Sequence, residues 1–372
     1  MKTKYAYLLF LILNSSPRET RVEAGQFATL PAGRQVLNSQ TVRPIRDDIG
    51  FCWSAEEMNQ FMNYLSKEDR DGSVDNSQNL FAAISVHDDY LYAGKVYYPL
   101  YKKIKTKEVV IFGVTHGTVR KEMGSLSDVI ILDEFDKWRG PYKEVEISPL
   151  REIIKSKLPK EDFIVSNKAH EIEHSIEALI PFLQYYNRDI KITPIMITQM
   201  SYEKMEIVTD RLSKIILDYI KKNNLKSGKD IFFLISNDAN HYGEDFNNSP
   251  YGMDAAAHKT ATGNDMKIIT RDLISEITEE KIKSTANDLW PDSENKKAVP
   301  LWCGRYPIVF GLQTIHKVAN GLGDRKIYGT LLKYSDSFTE KVLPVKNTSM
   351  GLTAVFSYKH WCAWFTEGFY LK

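Results

Sequence analysis

QNLFAAISVH, residues 78–87, is an apolar run that lacks the polar alternation of a half-exposed strand. Such a run predicts a strand covered on both faces, as in a parallel sheet sandwiched between helices. The pattern recurs in EVVIFGV (108–114), in residues 191–198 and in DIFFLIS (230–236). Helical periodicity fills the gaps. Ser54 is placed to cap a helix over 55–65, with Glu57 completing a capping box. Residues 201–222 put Met205, Val208, Leu212, Ile215, Ile216 and Tyr219 on one face,. Further helices are expected over 265–277 and 306–318, and late strands over 326–334 and 351–358, the latter pair as an antiparallel edge. Alternating strands and helices imply a layered α/β fold with a largely parallel or mixed central sheet.

Each buried strand, or the turn after it, ends on a polar residue. His87 follows the first run, His116 the second, and Asp238 and His241 the run at 230–236, while Cys303 stands in a turn entering a helix. Ligands of open α/β sheets bind beyond the carboxyl ends of the strands, so these five side chains are expected to converge on one pocket. Two imidazoles and a thiolate offer three ligands to a divalent ion and leave positions open, as a catalytic site requires. His241, three residues after Asp238, is placed to move a proton near neutral pH.

Composition narrows the classes. The chain has 372 residues and a formal charge of +1, so no global field draws it toward nucleic acid or an anionic membrane,. A small molecule, or a peptide in the cleft, is the expected partner. Three cysteines, Cys52, Cys303 and Cys362, are too few and too odd for a disulfide framework,. Cys52 and Cys362 read as buried small hydrophobes without a polar constellation. Residues 1–41 read as a leader: Lys2 and Lys4 precede the apolar run 5–13, and Val22-Glu23-Ala24 offers a small-residue cleavage site,. A disordered leader on a cytoplasmic protein is expected, with export by a signal peptide as the alternative. The run is too short to span a bilayer. A single domain is expected over 42–372, its regular structure starting near Ile49, and the charged stretch 287–299 reads as a surface excursion.

HEIEH at 170–174 is a literal H-E-x-x-H, in which two histidines one helical turn apart hold zinc and a glutamate acts as base,. A zinc hydrolase built on His170, Glu171 and His174 is therefore one candidate. Pro181 soon follows and no third-ligand extension does, so the alternative is that His174 and Glu177 point inward, the carboxylate fixing the imidazole tautomer.

In order, the blocks Val86-His87-Asp88-Asp89-Tyr90, Gly113-Val114-Thr115-His116-Gly117, Glu173-His174-Ser175-Ile176-Glu177, 236–243 (SNDANHYG) and Cys303-Gly304-Arg305-Tyr306-Pro307 resemble the Memo family, called AmmeMemoRadiSam system protein B in prokaryotes. The resemblance runs from about residue 42 to about 358. It implies a three-layer α/β/α fold similar to the LigB-like extradiol dioxygenases. It further implies His87, His116 and Cys303 as metal ligands, with Asp238, His241 and His174 as catalytic residues. Iron is the expected metal, with copper and zinc as alternatives, and a redox enzyme is the expected activity. A non-catalytic accessory protein, working beside radical-SAM or AMMECR-type partners, is the competing reading. The chain departs from the family pattern in carrying Asp88 and Asp89 where Ala-Gly is usual, Gly117 for a second histidine, and Tyr306 for a histidine.

Overall fold

The computed structural model describes residues 41–69, 80–290, 300–323 and 325–372. They fall within one compact unit, Gln40–Lys372. The leader and its signal-like run lie outside the described residues, as does most of the 287–299 stretch.

Ser54 caps helix α1 (Ala55–Glu68), its hydroxyl accepting from the Glu57 amide, but the Glu57 carboxylate accepts from the Ser349 amide and hydroxyl and does not complete the expected capping box,. Strand β1 (Leu80–Ser85) follows, then α2 (Tyr90–Tyr101), β2 (Glu108–Val114), β3 (Lys191–Ile197), α3 (Tyr202–Lys222), β4 (Ile231–Ser236), α4 (Arg305–Gly321), β5 (Ile327–Asp336) and β6 (His360–Leu371). Across the sheet the order is β3, β2, β4, β1, β6, β5. The first four strands are mutually parallel, and β6 runs antiparallel to both β1 and β5. Short strands extend both edges to thirteen strands among the described residues. Every residue of β1, β2 and β4 is buried, which explains the unbroken apolar runs in the sequence,.

Alternate side chains supply two cores. On one face Val110, Phe112, Phe233 and Ile235 pack with Met205 and Leu212 of α3 and Ile308 and Leu312 of α4. On the other, Val109, Ile111, Phe232 and Leu234 meet Phe61 and Leu65 of α1 and Tyr90 and Tyr97 of α2. The result is the expected three-layer α/β/α sandwich with a mixed sheet. No helix among the described residues is long and apolar enough to cross a membrane.

Four further expectations are corrected. Residues 351–358 form a loop and not a strand; the strand is β6, whose pairing with β5 and β1 leaves 351–358 no free edge there. The helix expected at 265–277 runs from Ala255 to Ile268, capped by Asp254, and is followed by a π-helical turn, Ile269–Leu273. Regular structure begins before Ile49, because Val42–Arg43 pairs with Lys137–Trp138. Arg43 is buried, paired with buried Glu177 and bonded to the carbonyls of His170 and Glu173. Finally, the helix carrying His170 stops at Glu171, so HEIEH is not one helical turn with two histidines on a face.

Candidate metal centre

Strands β1 and β4 end side by side, and the chain separates there: the Asn237 amide closes on the Ser85 carbonyl. Asp238 then turns back so that Oδ1 accepts from the His87 amide at 2.9 Å. This carboxylate fixes the backbone that carries His87. The imidazole of His87 is buried, with Nδ1 2.8 Å from Ser236 Oγ. Ser236 donates its single hydroxyl proton to the Ser175 carbonyl at 2.7 Å. Its oxygen can therefore only accept from His87, which puts the ring proton on Nδ1 and a lone pair on Nε2.

His116 begins the helix Gly117–Met123 after β2. Its Nδ1 lies 2.8 Å from Glu173 Oε1, and its amide donates to Oε2 at 2.9 Å. The carboxylate orients the ring and leaves Nε2 as the free lone pair. Glu173 also accepts from the amides of His174 and Ser175. Burial alone would raise its carboxyl pKa, but His116, its hydrogen bonds and His174 together hold it well below the usual range,.

Cys303 reaches the same point from the turn before α4. Gly304 makes this approach feasible: a Cβ there would lie 2.6 Å from Asn237, and its amide donates to Asn237 Oδ1. Cys303 Sγ lies 3.3 Å from His87 Nε2 and accepts from the Asp238 amide at 3.2 Å. A ring nitrogen of each histidine and the sulfur lie within 4.8 Å of one another. Ligands at tetrahedral corners about 2.0–2.3 Å from a metal are about 3.5 Å apart, so small rotations suffice to close the set. Asp238, His241 and Cys303 form a second such group.

His241 lies on a short strand, His241–Gly243, paired with β6 so that it faces Cys362. Gly243 permits the pairing, with φ of +123° and no room for a Cβ against the Lys359 carbonyl,. His241 Nδ1 donates to the Ala239 carbonyl at 3.2 Å, which again leaves Nε2 unprotonated. Burial lowers its pKa to about 4. His174 stacks on His116, ring centroids 4.7 Å apart, and burial followed by the His116 charge lowers its pKa to about 4 as well.

Without a cation the inner groups favour neutral forms. Burial, followed by His116, pushes His87 well below the ordinary imidazole value. Burial and Asp238 push the Cys303 thiol well up, and burial and Asp88 do the same to Asp238. Asp238 Oδ2 lies 3.5 Å from His87 Nε2, which carries no proton to give it. The carboxyl oxygen, the imidazole nitrogen and the sulfur crowd one buried point, where a cation would displace the carboxyl and thiol protons and be held by all three,.

His87, His116, His174, Asp238 and His241 line one cavity of about 500 Å³; Cys303 is not among the lining residues and joins the group through its sulfur's contact with His87 Nε2. Two readings fail. His170 is remote from the cavity, with Nε2 on the Ile131 carbonyl and its ring against Trp138, so the H-E-x-x-H histidines do not share a metal position. Glu177 is taken by Arg43 and the amides of Arg46 and Asp47, so it does not orient His174. Cys362 lines the cavity, contrary to the expectation of no polar surroundings. Sequence reasoning missed the tethering roles of Ser236 and Glu173, and Phe246, Phe356 and His360 on the cavity wall; only Glu173, adjacent to His174, carried a local signal.

The family model described as Memo-like protein matches residues 52–349. A MEMO1 family protein of Sulfurisphaera tokodaii is 34% identical over 171 residues, covering 44% of this chain and 54% of the relative. One from Aquifex aeolicus is 32% identical over 191 residues, 50% of this chain and 62% of the relative. The matched segments thus span little more than half the length of these relatives.

Proposed function

The chain belongs to the Memo family, and from that premise and the site geometry we propose a metal-dependent redox enzyme whose ion, iron first and copper next, is held by His87, His116 and Cys303. The observation that carries this is the pair of tethers, Ser236 on His87 and Glu173 on His116, that leave both Nε2 lone pairs free, the His87 one beside the Cys303 sulfur. When bound, the metal would activate a small molecule at an open coordination position. The chain's own residues do the rest. Asp238 anchors the His87 backbone and adds negative charge beside the ion. His241, neutral at pH 7 with Nε2 unprotonated, accepts a proton from a substrate in the cavity,. His174, at the exposed side of His116, lines the route to solvent.

A recognition cleft used without metal is the competing reading. It is favoured by the Cys303 sulfur already having Asp238 and His87 as partners. Elemental analysis of protein purified without chelator decides between them. Stoichiometric metal that is lost in His87→Ala and Cys303→Ala supports the enzyme reading. Absence of metal, with function intact in both variants, supports the cleft.

A further inference from the structure

Away from the cavity, the helix Ala255–Ile268 carries Asp265, which is wholly buried and takes no part in the cavity lining. Its donors are neutral groups. Trp302 Nε1 gives to Oδ1 at 2.8 Å, and the Tyr334 hydroxyl gives to Oδ2 at 2.9 Å. The surroundings are apolar: Trp302 packs on Phe365, ring centroids 5.2 Å apart, in the same cluster as Ile269 and Leu273. Apolar residues of equal shape would fill this space at little or no loss of stability, because a buried hydrogen bond contributes little net. What the polar trio adds is direction, since a satisfied buried network holds the indole in one place.

That place matters for the metal centre. Trp302 precedes Cys303 and forms an antiparallel bridge with Asn240, which precedes His241. The Leu301 amide donates to Asn240 Oδ1 at 3.2 Å, and the His241 amide donates to the Leu301 carbonyl at 3.0 Å. On its far side Asn240 joins β6, its carbonyl accepting from the Ala363 amide at 2.9 Å. The Asn240 amide also bonds the Asp265 carboxylate. Side chains alternate across such a plate of extended segments. Trp302 and Ala363 point into the core, while His241 and Cys362 line the cavity and the Cys303 sulfur stands 3.3 Å from His87 Nε2. Asp265 thus grips from below the plate that presents Cys303 and His241 above.

We propose that Asp265 is a positioning residue of the metal centre, fixing the Cys303 sulfur and the His241 ring through Trp302 and Asn240. The inference rests on the reading of Cys303 as a ligand and adds a residue to that site. A ligand set must be held to within about 0.5 Å to stay productive, and the two adjoining α-carbons of Trp302 and Cys303 are about 3.8 Å apart. Movement of the unanchored indole therefore reaches the sulfur.

Four variants of the full chain test this. Asp265→Leu removes both acceptors at nearly constant volume, and Trp302→Phe removes the donor but keeps a ring against Phe365. Asp265→Asn retains one acceptor oxygen for Trp302 and is the rescue. Tyr334→Phe removes the other donor, on β5, without breaking the Trp302 link, and so reports a purely structural cost. In metal-free protein, alkylation of each cysteine by iodoacetamide is followed by mass spectrometry. Cys303 should react at least about tenfold faster in D265L and W302F than in the parent, the equivalent of one buried hydrogen bond lost. It should stay near the parent rate in D265N and Y334F, with Cys52 unchanged in all four. With cobalt(II) as the probe, D265L and W302F should bind roughly 10–100-fold more weakly and show diminished sulfur-to-cobalt absorption, restored in D265N. Parent-like Cys303 rates in D265L and W302F, an equal rise at Cys52, or an equal effect of Y334F overturns the inference, and W302F decides if D265L fails to fold. A parent protein without sulfur-to-cobalt absorption sinks the metal reading alone, because the alkylation comparison needs no metal. Normal absorption in the parent with unaltered alkylation in both variants sinks this inference alone.

Discussion

Replacing Glu173 by glutamine keeps shape and removes one acceptor oxygen and the charge. The carboxylate serves four donors: His116 Nδ1 and the amides of His174 and Ser175 at Oε1, and the His116 amide at Oε2. The amide nitrogen of glutamine must occupy one of those two positions and face an N–H group. At least one buried donor then loses its acceptor, at a cost of about 1–3 kcal/mol. The lost charge also weakens His116 as a ligand, and loss of such an outer partner lowers metal affinity by roughly 10–100-fold. Denaturant unfolding of metal-free protein reads the first effect, and competition against a chelator reads the second. A pH series adds a sign. Because the folded carboxyl lies well below its unfolded value, Glu173 contributes stability above about pH 4.3 that is lost as pH falls through the folded value,. Metal-free E173Q should therefore lose less stability than the parent between neutral and strongly acid pH. Unchanged metal affinity in a destabilised E173Q would refute the orienting role and leave Glu173 a purely architectural residue.

Ser236→Ala leaves the His87 Nδ1–H and the Ser175 carbonyl without their shared partner; metal affinity should fall and stability drop by about 1–3 kcal/mol, read by the same two assays. Arg43→Met strands the buried Glu177 carboxylate and should cost about 3–5 kcal/mol in chemical denaturation, because one member of a buried pair is left alone,. His170→Gln should leave metal content at the parent level, since its ring bonds the Ile131 carbonyl away from the cavity; loss of metal there, with Cys303→Ala retaining it, would restore the H-E-x-x-H reading. In metal-free protein, NMR titration should show His241 neutral down to about pH 4. Its folded pKa lies below the ordinary imidazole value, so it favours the folded state at neutral pH and that contribution is lost as pH falls from about 6.5 toward about 4,.

The central sheet was legible because covering both faces demands apolar residues along the strand, and 80–84, 109–114 and 231–235 carry that pattern without interruption,. His87, His116 and Asp238 were legible as one group for a topological reason: strands lying side by side and parallel bring their carboxyl ends together,. Ser236 was not legible as a tether. Its role depends on the Ser175 carbonyl taking its only proton, and that carbonyl belongs to a turn 61 residues away in the chain. Nothing in the local composition of a serine at a strand end specifies such a partner.

The two misread segments fail for the same physical reason. Residues 351–358 alternate apolar and polar side chains, and residues 170–174 have the spacing of a helical ligand pair, but each pattern states only what a segment could do if it found the right neighbours. For 351–358 the neighbours are Ile49, whose carbonyl takes the Gly351 amide, and Asp89, which takes Thr353; both pull the segment across the cavity mouth instead of into the sheet. For 170–174, Arg43 draws in the carbonyls of His170 and Glu173 and the carboxylate of Glu177, and its guanidinium lies over Trp138. One buried arginine from the start of the folded unit thus ends the helix early and turns Glu173 toward His116. The residue that defeats the hydrolase motif also helps to build the second tether of the metal centre, so a shortened variant beginning after Arg43 should lose His116 orientation together with fold stability.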